Sequence, residues 1–78
     1  MRYVDRADIL EIVRRNPDIS SPEVARKAYP HLAPGSADMT LARLRTYNHL
    51  QDLKRHGQII RTGTVPGTKC TSKWRATE

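Results

Sequence analysis

Residues 50–61 read Leu50-Gln51-Asp52-Leu53-Lys54-Arg55-His56-Gly57-Gln58-Ile59-Ile60-Arg61. Two leucines three residues apart mark one side of a helix. Lys54, Arg55 and His56 place cations in its last turn, where the negative end of the helix dipole favours them. Gly57 is suited to the left-handed residue that ends a helix. Ile59 and Ile60 are β-branched and begin a strand over about 58–62. A helix therefore ends and a strand begins within this dozen residues. Downstream, Val65-Pro66-Gly67-Thr68 fits a type II turn, with Pro at the second position and Gly at the third. Lys69 to Arg75 returns as a second strand, so a hairpin is expected over about 58–75. Its alternation puts Cys70, Ser72 and Trp74 on one face and Lys69, Thr71, Lys73 and Arg75 on the other. Trp74, the only tryptophan, is expected to close the core.

Upstream, the helix that ends at His56 is expected to run over about 39–56, its start falling within Asp38–Thr40. Its pattern is mixed, since Leu41 and Leu44 lie nearly opposite Leu50 and Leu53 at 3.6 residues per turn. Either the helix is buried on two sides, or it starts later and Leu41 belongs to a turn; the second reading is preferred. Residues 30–38, with two prolines and a glycine, read as loop. A second helix is expected over about 21–29. Ser20-x-x-Glu23 is a capping-box pattern, while Ser21 followed by Pro22 is an equally good start. Val24, Ala25 and Ala28 form its apolar face, and Pro30 stops it. Residues 18–20 fit a small strand. A first helix over about 5–15 has Asp5 as N-cap, buries Ile9, Leu10 and Val13 with Ile12 at the edge, and ends before Pro17. The expected fold class is α+β, mostly α with a small β-hairpin, in one domain over residues 1–78.

The net charge of +6 is unevenly placed. Residues 1–38 carry six Lys or Arg and six Asp or Glu, whereas residues 39–78 carry eight Lys or Arg against Asp52 and Glu78. A neutral half joined to a basic helix and hairpin suggests a surface for a polyanion. No apolar run approaches a membrane span, the first residues do not read as a secretory signal, and a lone cysteine forms no internal disulfide. A cytoplasmic location is therefore expected. His31, His49, His56 and Cys70 fit no zinc spacing, and there is no phosphate-binding glycine loop or nucleophile elbow. Neither metal, cofactor nor enzymatic activity is expected.

Three helices and a terminal hairpin, with Leu50-x-x-Leu53-x-x-x-Gly57-x-Ile59, the Pro66-Gly67 turn and Trp74, resemble the winged helix-turn-helix superfamily, such as MarR- and ArsR-type bacterial repressors. Ile19-Ser20-Ser21-Pro22-Glu23-Val24-Ala25 is similar to that superfamily's lead into its second helix. The resemblance covers roughly residues 5–75. One departure is that residues 30–38 lengthen the connection between the second and third helices.

The resemblance implies sequence-specific binding of double-stranded DNA, with the third helix in the major groove and the hairpin, as a wing, on the backbone. Its base-reading candidates by position are Thr40, Arg43, Arg45, Tyr47 and Asn48; Arg suits guanine and Asn suits adenine in paired hydrogen bonds. Tyr47 is equally suited to the core. Arg61, Thr64, Lys69 and Lys73 are the wing candidates for phosphate, with Thr62, Thr68 and Thr71 as further donors. Ser20, Ser21 and the backbone N–H groups at the start of the second helix could hold a phosphate or serve as a cap alone, the second reading being preferred. The expected role is a small transcriptional regulator, a repressor or a recruiter of polymerase, without a separate effector domain. Economy of size suggests a phage, plasmid or other mobile element. A homodimer would add a second half-site. The competing reading is a protein-interaction module for an acidic partner, which an exposed patch at Leu32, Leu41 and Leu44 would favour. RNA is a weaker competitor, because interleaved aromatics are few.

Overall fold

The structure, a computed structural model, describes residues 3–67 and 71–77. The expected Lys69 contact, the expected Thr68 donor and the expected placement of Cys70 on the Trp74 face lie outside the described residues. The elements run α1 (Arg6–Arg15), β1 (Ile19–Ser20), α2 (Ser21–Ala28), α3 (Ala37–Arg55), β2 (Ile59–Thr64) and β3 (Ser72–Ala76). Three helices thus pack with a small antiparallel sheet of order β1-β3-β2, which is the α+β class expected.

Each boundary has a local cause. Asp5 occupies the N-cap of α1, and its backbone N–H reaches the Asp8 carboxylate at 3.4 Å. Asn16 closes the helix, donating from its side chain to the Ile12 carbonyl at 2.8 Å. Asp18 then adopts φ +63°, a left-handed turn that Asp tolerates better than most residues, and the chain enters β1. Ser20 is the N-cap of α2, but its hydroxyl donates to Glu23 at 3.1 Å instead of accepting from the helix. On the surface of α1, Arg15 donates to Glu11 at 2.8 Å, and that bond holds the Glu11 carboxyl below its usual pKa.

The third helix begins earlier than expected. Ser36 caps it, its hydroxyl accepting from the Met39 N–H at 3.1 Å. Leu41 therefore lies inside the helix, not in a turn, and the helix is not buried on two sides. The buried stripe is Met39, Ala42, Thr46, Leu50 and Leu53, spaced three or four residues apart, while Leu41 and Leu44 face solvent. The long connection before α3 is anchored at both ends. Tyr29 is buried, Leu32 packs beside it, and Ser36 donates back to the Ala33 carbonyl. At the other end of α3, the Gln58 N–H bonds the Leu53 carbonyl at 2.9 Å and the Gly57 N–H bonds the Lys54 carbonyl at 3.0 Å. With Gly57 at φ +75°, this is the paired closure that glycine permits after a helix.

The core joins all six elements. Ile9 and Val13 of α1, Ile19 of β1, Val24 of α2, Leu50 and Leu53 of α3, Ile59 of β2 and Trp74 of β3 form one buried cluster. A second gathers Ala25, Tyr29, Met39 and Ala42 between α2 and α3. Trp74 lies opposite Ile19 and Arg61 in the sheet, and its indole N–H donates to the Ser21 hydroxyl at 2.8 Å. A register shift between Arg61 and Gly63 leaves Thr62 without an opposite number.

One buried polar atom is unsatisfied. The Thr46 hydroxyl has no hydrogen-bond partner among the described residues. Such a group costs stability that an apolar group of the same shape does not. Thr46→Val is expected to stabilise the fold by about 1 kcal/mol, raising Tm by roughly 4–8 °C. Thermal unfolding followed by circular dichroism checks this; an unchanged or lower Tm would mean that the hydroxyl has a partner.

Candidate nucleic-acid interface

Burial of the Met39–Leu53 stripe fixes which way every other side chain of α3 projects. At about 100° per residue, Thr40, Arg43 and Tyr47 share one flank, and Leu41, Leu44 and Asn48 form the outermost ridge. Arg45 falls on the opposite flank, roughly 160° from Arg43. The flank with Arg43 faces an open groove. Its walls are Ser21 and Pro22 at the start of α2, Thr40, Arg43, Leu44 and Tyr47 of α3, and Thr71 just before β3. The sequence candidates Ser21, Thr40, Arg43 and Tyr47 are thus brought together. Tyr47 is about half exposed, which decides against the core alternative.

The groups in this groove are chemically distinct. Ser21 accepts the Trp74 indole N–H, so its hydroxyl oxygen is fixed while its hydrogen can still be donated outward. Thr40 donates to the Ser36 carbonyl at 3.2 Å and retains an acceptor. Arg43 has no ion pair or hydrogen bond among the described residues and is exposed. It also borders a second depression with Arg26, Pro34 and Gly35, so α2 and the long connection bring a second cation near it.

Arg45 is engaged elsewhere. Its guanidinium carbon lies 3.9 Å from the centre of the Tyr3 ring. Tyr3 in turn meets Tyr29 edge to face at 6.3 Å, and the Tyr29 hydroxyl accepts the Val4 N–H at 3.0 Å. Arg45 therefore holds the segment before α1 against α3, on the side away from the groove. The remaining candidates are spread across the sheet. Arg61 is opposite Trp74, and Thr64 is opposite Ser72. Because paired residues share a face, both lie on the face that Trp74 presents to the helices. Lys73 pairs with Ser20 and Gly63 and belongs to the other face.

Sequence reasoning did not single out Pro22 or Arg26 for this region; it expected Thr71 as a further phosphate donor, and noted Leu44 only as out of phase and as part of an apolar patch. That mismatch was the available signal: a leucine opposite the buried stripe is a leucine on the surface. Leu41 and Leu44 are 50% and 57% exposed, whereas Leu32 packs against the second cluster and leaves the expected patch. Among the described residues, no three His, Cys, Asp or Glu side chains meet as a metal ion would require, and no helix is long and apolar enough to cross a membrane.

No protein-family model, curated protein or solved structure matches this chain.

The Arg45 contact is open to direct test. A cation over a largely solvated aromatic ring contributes about 0.5–1 kcal/mol, so Arg45→Ala is expected to lower stability by about that much, and Tyr3→Ala by more because half-buried Tyr3 also packs on Tyr29. In the double variant the losses should overlap instead of adding. Urea unfolding of the four proteins reads this out, and simple additivity would mean that the two side chains do not interact.

Proposed function

We propose that this chain is a winged helix-turn-helix protein that binds double-stranded DNA in a sequence-dependent way and acts as a small transcriptional regulator. The observation that carries the reading is the groove itself. There the start of α2, an arginine on α3 with no partner among the described residues, and the turn end of the hairpin share one exposed surface. The order of the elements and the β1-β3-β2 sheet support the same reading. In this arrangement α3 lies in the major groove, with Arg43 at a base edge and Thr40, Tyr47 and Asn48 beside it. The Ser21 hydroxyl and the first N–H groups of α2 meet a phosphate. Arg61 and Thr64 follow the backbone as the wing, and Lys73 belongs to the far face of the sheet. The protein works by occupancy, without chemistry of its own, in the compartment that holds the DNA.

The test is fluorescence anisotropy of labelled duplexes at several salt concentrations. Each neutralised phosphate contributes roughly −0.9 to the log–log salt slope, so a slope of about −3 to −6 is expected. Arg43→Ala should cost about 1–3 kcal/mol on a selected site and relax preference at one base position. Arg45→Ala should leave preference intact, because Arg45 faces away from the groove. Absence of binding at low salt would overturn the proposal.

A second reading has one observation in its favour. Leu41 and Leu44 are exposed side by side on a basic helix, as a module for an acidic protein partner would require. That reading gains if duplexes fail to bind at low salt.

A further inference from the structure

We propose that Leu41 and Leu44 read the C5-methyl groups of thymine, so that the outer ridge of α3 selects A·T pairs. The inference rests on the DNA-binding reading above and names what that site prefers.

The argument starts from position on the helix. Leu41, Leu44 and Asn48 fall within roughly 60° of one another, opposite the centre of the buried stripe. Whatever meets the outside of α3 meets these three side chains first. Two of them are leucines, each half exposed, and among the described residues neither belongs to a core cluster. Cations flank the ridge on both sides, Arg43 on one and Arg45 on the other. A second copy of this chain would bring the same cations to the same face, and like charges would oppose the contact. A polyanion meets no such penalty.

The floor of the DNA major groove is mostly hydrogen-bonding edges. Its apolar group is the thymine methyl. A leucine set against any other base edge would strip water from a donor or acceptor and return nothing, which disfavours those sequences. A leucine set against a thymine methyl buries hydrocarbon on both partners. Asn48, one turn beyond Leu44, has the paired donor and acceptor that match adenine. The ridge therefore presents two thymine contacts and one adenine contact in a row.

The experiment compares thymine with deoxyuridine, which lacks only that methyl. A duplex selected from random sequences is remade with deoxyuridine at each thymine in turn, and the full-length protein is titrated against each. Loss of a contacted methyl should weaken binding by about fourfold per position, the equivalent of about 0.8 kcal/mol for one buried carbon. In a Leu41→Ala/Leu44→Ala variant the thymine-to-uridine ratio should fall to about one, while its Tm stays near that of the parent because both positions are exposed. Equal binding of thymine and deoxyuridine duplexes by the parent would overturn the inference and leave DNA binding standing. Discrimination that survives in the double variant would also overturn it, by assigning the methyl contact to other residues. Self-association of the free protein that the double variant abolishes, without methyl discrimination, would give the ridge to a second copy and overturn it too. Failure to bind any duplex at low salt would overturn both this inference and the function on which it rests.

Discussion

Trp74 enters the core from the middle strand of the sheet and donates its indole N–H to Ser21 at the first turn of α2. One side chain thus joins the last strand of the chain to the helix that precedes the long connection. Burial of an aromatic of this size is worth about 3–5 kcal/mol against truncation. A domain of 78 residues has on the order of 4–12 kcal/mol of net stability. A large share of the fold therefore passes through a single residue. Because the indole must reach Ser21, the distance between the sheet and the start of α2 is set as well. That distance forms one side of the groove, and Thr71 stands only three residues before Trp74.

The third helix divides its circumference among four tasks. The Met39–Leu53 stripe packs inward, and the Arg43 flank lines the groove. The ridge of Leu41, Leu44 and Asn48 faces outward, and Arg45 secures the segment before α1. Seven of the eight cations in the basic half lie on α3, β2 or β3 among described residues, but net charge alone does not say which of them share a surface. Arg43 and Arg45 differ by two positions and do opposite jobs. The difference comes entirely from the buried stripe, which fixes the rotation of the helix.

Much of the architecture was legible because strong local signals agreed. The Leu50–Ile59 stretch carried a helix end, a glycine closure and a strand start in the right order, and Pro17, Pro22 and Pro30 bracketed the first two helices. The start and rotation of α3 were not legible. Leucines dominate any count of apolar residues, and four of them pointed in two directions. The inward face is completed by Met39, Ala42 and Thr46, two of which are small or polar and carry little hydrophobic signal. Ser36 as cap was likewise hidden inside a loop-like run rich in Pro, Gly and Ala. Of the candidate site, Ser21, Thr40, Arg43 and Tyr47 were found by position and do converge. The engagement of Arg45 depends on Tyr3, more than forty residues away, and no local pattern reports such a contact.

The closure at Gly57 has a consequence for how this chain can change over time. Its two hydrogen bonds run between backbone groups, and its one stringent requirement is a glycine at a left-handed position. Lys54, Arg55, His56 and Gln58 around it are all exposed and spend none of their side-chain chemistry on the turn. The side chain that does reach the bend is the distant Thr77, whose hydroxyl donates to the Gly57 carbonyl at 3.0 Å, so the bend is insulated from the residues that flank it in sequence. Charge at these four neighbouring positions can change and alter the local electrostatic potential, while the backbone shape of the turn stays the same.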